Sequence, residues 1–359
     1  MIRKGIPLDK PTILMSFPFV EEAGGWYIPL GEACVKGLET LGFRVEKFNP
    51  VVAAETGGGW KSLERAAVLA GRLVGKTKAQ TKVSLPWLEE ARRFKGIVEL
   101  AKHLRPDYLL TVSAFTYPKN VVEQLREECG IRQTIGWCVE GPTWIKDPNQ
   151  EAELYDHYFC IHRSAIAHPK IHYLPAVGFD TAAYSRIEGE RKTRQLVFVG
   201  RKKERRVNWL APLRDLGLEL YGPGWEKSPL AAQQTAPGIF GKELNLLYNR
   251  SKIVLNASAW PNDASTCLNL RIVDVPACGS MLLTDYAQGI EDYLLPDREV
   301  IVAHTPEEMC DKAKYYLAHD AQREKVAQAG WERVQKMETY AQKMRRMIEL
   351  CGIPIPINV

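Results

Sequence analysis

The feature that most constrains this chain is a repeated alternation. Short, β-branched apolar runs, many closed by glycine, proline or a small polar residue, are followed by longer stretches with an apolar face of helical period. Thr12-Ile13-Leu14-Met15-Ser16-Phe17-Pro18 is the first such run, too short for a helix and apolar throughout, as a strand covered on both faces would be. Val20 to Trp26 reads as a strand-to-helix loop. A helix from about Tyr27 to Leu41 follows, with Leu30, Ala33, Cys34, Leu38 and Leu41 at helical spacing and Gly42 where a terminating glycine belongs. Phe43 to Phe48 alternates like a second strand. Strand, helix, strand is one βαβ unit, whose crossover is right-handed. Asp107 to Val112, Thr134 to Val139 and His157 to Ile161 predict further strands, and Pro118 to Cys129 a helix.

Near Phe179 the pattern stops. Asp180 to Gln195 is polar, carries both signs of charge, and reads as a linker. The alternation restarts at Leu196-Val197-Phe198-Val199-Gly200. Strands are predicted again at Leu218 to Tyr221, Lys252 to Asn256, Ser280 to Thr284 and Glu299 to Val302. From Asp320 to Leu350 one stripe holds Val326, Ala329, Val334, Met337, Ala341, Met344 and Ile348, an amphipathic helical pattern. Two rounds of strand–helix alternation predict an α/β protein of two Rossmann-like, doubly wound domains, which 359 residues accommodate. The expected domains are residues 1–178 and 190–335.

Composition excludes several alternatives. With 45% hydrophobic and 25% charged residues the chain has a globular balance, not that of a disordered or collagenous protein. No apolar run approaches the roughly 18 residues a membrane helix needs. Met1 to Pro7 lacks the apolar core of a signal peptide. Eight cysteines are scattered without a Cys-x-x-Cys pair, which favours reduced thiols over a disulfide framework or a zinc site. A cytoplasmic protein is expected. The net charge of +5 is uneven: Lys61 to Arg105 holds eleven cationic side chains against four carboxylates. This stretch reads as mainly helical, broken around Gly75 to Pro86. It is either a solvated face or a surface for phosphate-rich or other anionic partners.

In open parallel sheets ligands bind beyond the carboxyl ends of the strands, so the chemistry is sought in the strand-end loops. Gly24-Gly25 follows the first strand and precedes a helix. It either lets the backbone approach an anion at a helix N-terminus or makes a tight turn. Gly200-Arg201-Lys202-Lys203-Glu204-Arg205-Arg206 packs five cations into seven residues where a strand gives way to a helix. Cations there oppose the helix dipole, so a bound diphosphate accounts for them better than a bare helix start, arginine being shaped for bidentate contact with phosphate. Asp274 lies just before Ser280 to Thr284. Its carboxylate can accept two hydrogen bonds from a ribose diol, or it pairs with Arg271 at a helix start. Asp-x-Asp, a P-loop and His-Glu-x-x-His are all missing from the sequence, so no metal site is expected.

In order and spacing, the second half resembles the nucleotide-sugar-binding domain of the CgeB-type spore-maturation glycosyltransferases, allied to the family-four glycosyltransferases. The segments that carry the resemblance are Phe198-Val199-Gly200 with Arg206, Leu220-Tyr221-Gly222-Pro223-Gly224-Trp225, Glu243-Leu244, and Leu247 to Ile253. Leu255-Asn256, Leu270-Arg271-Ile272-Val273-Asp274, Ala277-Cys278-Gly279, Leu283-Thr284-Asp285, Gly289-Ile290-Glu291 and Tyr316 to Trp331 continue it. In the first half Gly24-Gly25, Trp137 to Pro142 and Tyr173 to Val177 with Asp180 are similar to the same family more loosely.

The resemblance implies a GT-B fold, two Rossmann-like domains facing a central cleft, with residues 336–359 forming a C-terminal helix and tail that pack back on the first. It implies transfer of a sugar from a nucleotide diphosphate-sugar without metal or cofactor, a UDP-sugar being favoured as donor. Gly200, Arg201 and Arg206 would meet the diphosphate, with Lys202 a lesser contact. Tyr221 and Gly222 would lie near the nucleobase with Glu243 and Leu244, and Asp274 at the ribose. Thr266 stands where the family-four pattern carries a partner glutamate. An inverting enzyme needs a proton acceptor. Glu140 is the first candidate and Glu22 the second, Glu140 being equally readable as a turn or cap carboxylate, and a retaining enzyme would need neither. The acceptor is left open between a glycan, a protein and a modified nucleic acid. An epimerase or hydrolase of the same fold, or a non-catalytic module binding an anionic polymer, are the competing readings.

Overall fold

The computed structural model describes residues 10–19, 29–56, 86–112, 117–139, 147–162, 168–258 and 268–356. The described strands form two all-parallel sheets. The first contains β1 (Thr12–Ser16), β2 (Arg44–Phe48), β3 (Tyr108–Val112), β4 (Gln133–Cys138), β5 (His157–Cys160) and β6 (Ile171–Tyr173), in the order β2-β1-β3-β4-β5-β6. The second contains β7 (Arg194–Val199), β8 (Leu218–Tyr221), β9 (Gln234–Ala236), β10 (Ser251–Asn256), β11 (Met281–Asp285) and β12 (Ile301–Ala303), in the order β12-β11-β10-β7-β8-β9.

Both faces of each sheet are covered, which is why the strands read as unbroken apolar runs. In β1, Ile13 and Met15 face a core shared with α1 (Pro29–Thr40), through Leu30, Cys34 and Leu38. Leu14 points the other way. It joins Ile97 and Ala101 of α3 (Pro86–Leu104) and Val121, Val122 and Leu125 of α4 (Lys119–Cys129), α2 (Pro50–Thr56) lying between β2 and α3 in sequence. The short α5 (Pro148–Ala152) is capped by Asp147, whose carboxylate accepts from the Asn149 amide at 2.9 Å. In the second domain α6 (Glu204–Leu210), α7 (Gly241–Asn249), α8 (Arg271–Ala277), α9 (Pro306–Ala318) and α10 (Asp320–Val334) flank the sheet.

The chain then returns. A single helix was expected to run through Asp320–Leu350, but it is broken. α10 ends at Val334, and α11 (Tyr340–Leu350) starts afresh under a capping box, in which the Thr339 hydroxyl accepts from the Gln342 amide and the Gln342 side chain accepts from the Thr339 amide. The break is where the chain crosses between domains. The Phe179 amide donates to the Glu338 carbonyl at 3.0 Å, the Tyr340 amide to the Phe179 carbonyl at 3.3 Å, and the Tyr340 hydroxyl to the Ala176 carbonyl at 2.9 Å. Met344, Met347 and Ile348 of α11 lie in the core of the first domain with Leu38 and Phe43. At the crossing the ammonium of Lys343, 1% exposed, donates to Glu338 at 2.9 Å, and the Arg346 guanidinium meets the same carboxylate through two 2.9 Å bonds.

Other differences from expectation are small and have local causes. β6 and β9 span three residues each, too short for a period to register. Pro118 caps α4 from outside; the expected first-helix start near Tyr27 lies outside the described residues. Of the basic stretch, α3 is described; residues 57–85, with Lys61 to Lys82, lie outside the described residues. Seven cysteines among the described residues are buried. No helix among the described residues is long and apolar enough to cross a membrane.

Candidate functional site

The strand order of the second sheet locates a crevice. From β7 the chain moves outward through β8 to β9, then returns to place β10 on the other side of β7. The order reverses between β7 and β10, and ligands of open parallel sheets sit outside the carboxyl ends at that point. Two loops leave there: Gly200 onward after β7, and Ala257-Ser258 after β10.

The β7 loop is locked to its neighbour after β8. The Gly200 amide donates to the Tyr221 carbonyl at 2.7 Å, the Lys202 amide to the Pro223 carbonyl at 3.0 Å, and the Trp225 indole to the Gly200 carbonyl at 2.8 Å. Gly222 has a φ of 140°, and a Cβ there would lie 2.3 Å from the Gly200 carbonyl oxygen. Only glycine fits this approach.

Two arginines converge on the ring of Phe198, in β7, from which Arg206 lies 5.4 Å and Arg271 5.3 Å. Arg206, on α6 and 7% exposed, donates through Nε to the Ala257 carbonyl at 3.0 Å and through Nη1 to the Arg201 carbonyl at 2.8 Å. It therefore ties the β7 loop to the β10 loop. Arg271, at the start of α8, donates to the Val199 carbonyl at 3.0 Å and to the Asn256 side-chain oxygen. These partners are neutral, and neither arginine makes an ion pair among the described residues. Burial, and after it the nearby Arg271, push the Arg206 guanidinium down to about 9, so it stays cationic at pH 7. Arg205 differs: it pairs at 2.6 Å with Asp285, a carboxylate with no exposed surface. Asp285 also accepts from the Ser258 amide through both oxygens, at 3.1 and 3.0 Å. Burial raises its carboxyl, with Arg205 pulling the other way.

Asp274 apart, the positions expected from sequence fall into three groups. Gly200, Arg201, Arg206 and Gly222 are brought together at the crevice, with Arg201 exposed and its carbonyl held by Arg206. Tyr221 contributes its backbone there; its side chain is buried in the core with Leu244, and its hydroxyl donates to Glu219 at 2.9 Å. Glu243 is exposed on the first turn of α7, while Leu244 points into the core. Glu22, Gly24, Gly25, Glu140 and Thr266 lie outside the described residues. Arg271, Asn256, Ser258 and the Arg205–Asp285 pair had no assigned role beyond Arg271 as a partner of Asp274. They lie far apart in sequence and only the sheet order joins them.

Asp274 sits one turn beyond Arg271 on α8 and is 7% exposed. Burial, with Asp180 adding like charge, raises its carboxyl well above the usual range, against a pull from Arg271. An acid whose folded pKa exceeds its unfolded one stabilises the protein at low pH and loses that contribution as pH rises through the folded value. Asp274→Asn removes this titration. Its thermal midpoint is expected to exceed that of the parent at pH 8 and to approach it at pH 5; a difference that does not change with pH in thermal scans would refute the assignment.

Comparison with known proteins agrees with this layout. Residues 201–349 match the family model described as "Glycosyl transferase-like". No curated protein matches the chain. Among solved structures, sucrose-phosphate synthase from Thermosynechococcus elongatus is 12% identical, covers 95% of this chain and 98% of its own, and superposes with a TM-score of 0.66. HepE from Anabaena, in complex with UDP and glucose, is 10% identical over 95% of this chain and 99% of its own, with a TM-score of 0.62. A glycosyltransferase from Rickettsia africae is 14% identical over 96% and 98%, with a TM-score of 0.60. The two six-stranded parallel sheets are those of that fold. The chain thus has the GT-B fold, and its residues 201–349 match a glycosyl transferase-like family.

Proposed function

We propose that the protein transfers a glycosyl group from a nucleoside diphosphate-sugar to an acceptor, without a metal ion, in the manner of the CgeB-type enzymes its second half resembles. Residues 190–335 take the donor, residues 1–178 the acceptor, and 336–359 rejoin the first domain. The observation that carries the reading is the Arg206–Arg271 pair: two cations at the switch point, partnered only by neutral groups among the described residues. A diphosphate supplies the missing negative charge. As the glycosyl bond breaks, charge grows on the departing phosphate, and fixed cations in a partly dry site stabilise it without reorganising. Arg201, exposed on the β7 loop, contacts the same group in this reading. Uridine is the favoured base, since HepE is seen with UDP and with UDP-glucose. Glu140, then Glu22, are the proposed proton acceptors if the anomeric centre inverts.

A thermal-shift series with UDP, GDP, TDP, ADP and CDP, each with and without EDTA, tests this. A ligand that binds only the folded state, present at about a hundred times its Kd, stabilises by about 2.7 kcal/mol. One nucleotide is expected to raise the midpoint equally with and without EDTA. A shift abolished by EDTA would overturn metal independence, and no shift with any nucleotide would overturn the donor site.

A further inference from the structure

One buried polar group at the carboxyl end of β10 is left without a partner among the described residues. Ser258 is 2% exposed, and its Oγ has no hydrogen-bond partner among the described residues. Its backbone is held from both sides: the amide donates to Asp285 and the carbonyl accepts from Arg205 at 3.0 Å. The preceding carbonyl, of Ala257, is the one that anchors Arg206. The Ser258 backbone is therefore fixed at the carboxyl end of β10, beside the switch point, one residue from the anchor of a buried cation.

An unsatisfied buried hydroxyl costs stability, and alanine would remove that cost with little change of shape. Keeping serine needs a partner that the free protein lacks. The charge at the switch point calls for an anion: among the described residues Arg206 and Arg271 have neutral partners, whereas Asp285, the carboxylate bonded to the Ser258 amide, is already taken by Arg205. A serine hydroxyl can donate one hydrogen bond to a phosphate oxygen.

We propose that Ser258 donates a hydrogen bond to a non-bridging oxygen of the distal phosphate of the nucleoside diphosphate, the phosphate that departs with the broken glycosyl bond. This rests on the donor-site reading above. No covalent step is involved; the hydroxyl keeps its proton and stabilises the charge that develops on the leaving oxygens.

The experiment compares UDP with UMP, which lacks the distal phosphate, on the parent and on Ser258→Ala and Ser258→Thr, with ADP/AMP and GDP/GMP run alongside. Binding is measured by calorimetry and folding by thermal scan without ligand. Ser258→Ala is expected to leave the unliganded midpoint unchanged or higher, to weaken the diphosphate about tenfold or more, as loss of a hydrogen bond to a charged group does, and to leave the monophosphate unchanged. Ser258→Thr, which keeps the hydroxyl, is expected to recover much of the diphosphate affinity. Equal weakening of UDP and UMP, or none, with the parent still binding UDP, would overturn the role of Ser258 and leave the donor site standing. A lower unliganded midpoint for the alanine variant would give the hydroxyl a structural role and likewise overturn it. A parent that binds none of the diphosphates overturns the donor reading, and this inference with it.

Discussion

Arg206→Ala is expected to lower kcat/KM for the nucleotide-sugar by about a hundredfold to a thousandfold, the cost usual for removing one fixed donor to a developing anion. The loss has two sources. The cation disappears from the crevice, and the carbonyls of Arg201 and Ala257, which Arg206 holds at 2.8 and 3.0 Å, lose their common donor. The β7 and β10 loops are then no longer tied together. Arg206→Lys separates these effects: it keeps the charge, but a single ammonium on a flexible stem cannot fork between two carbonyls. It should recover little of the activity if geometry dominates, and most of it if charge does. Donor consumption and UDP affinity are the measurements, with thermal scans to confirm folding. Activity in the alanine variant equal to the parent would remove Arg206 from the site.

Glu338→Gln is expected to destabilise the protein by about 3 kcal/mol, the lower end of the range for stranding one charge of a buried pair. The lower end applies because Glu338 is about a third exposed, whereas Lys343 is 1% exposed. Burial already pulls the Lys343 ammonium down, and Glu338 is what restores it. Replacing both partners, Glu338→Gln with Lys343→Met, should recover most of the loss, since a well-packed apolar side chain leaves no charge stranded. Denaturant unfolding of the two single variants and the double variant gives the coupling. If the double variant is no better than Glu338→Gln, the pair is not what holds the crossing.

Much of this was readable in the residues, and the limits are physical. Buried parallel strands announce themselves as apolar runs, so the first strand, the one at Leu218 to Tyr221 and the one at Ser280 to Thr284 (one residue out of step with the observed Met281–Asp285) could be seen directly. Three-residue strands such as Ile171–Tyr173 carry too few side chains for a period. The tail read as one helix because Val334 and Met337 continue the apolar stripe. Only the capping pair Thr339 and Gln342, three apart, signals the restart, and Gln at that spacing is a quiet signal. The cluster Gly200 to Arg206 was legible because five cations lie together in sequence. Arg271 and Ser258 were not, since their meaning comes from sheet order: β7 and β10 are neighbours in space while fifty residues of chain separate their ends. Tyr221 shows the opposite error, a polar-tipped residue in the right loop whose side chain serves the core.

The return of α11 to the first domain has a consequence for how the chain comes into being. During synthesis the first half emerges first, and in many proteins an N-terminal domain folds before the rest has been made. Here it cannot finish. The face of α1 bearing Leu38 and its neighbours stays uncovered until Met344, Met347 and Ile348 arrive, after the whole second domain has left the ribosome. The second domain, whose last helix ends at Val334, has its helices in hand before α11 is made, so α1, although translated well before it, is among the last elements to reach its native contacts.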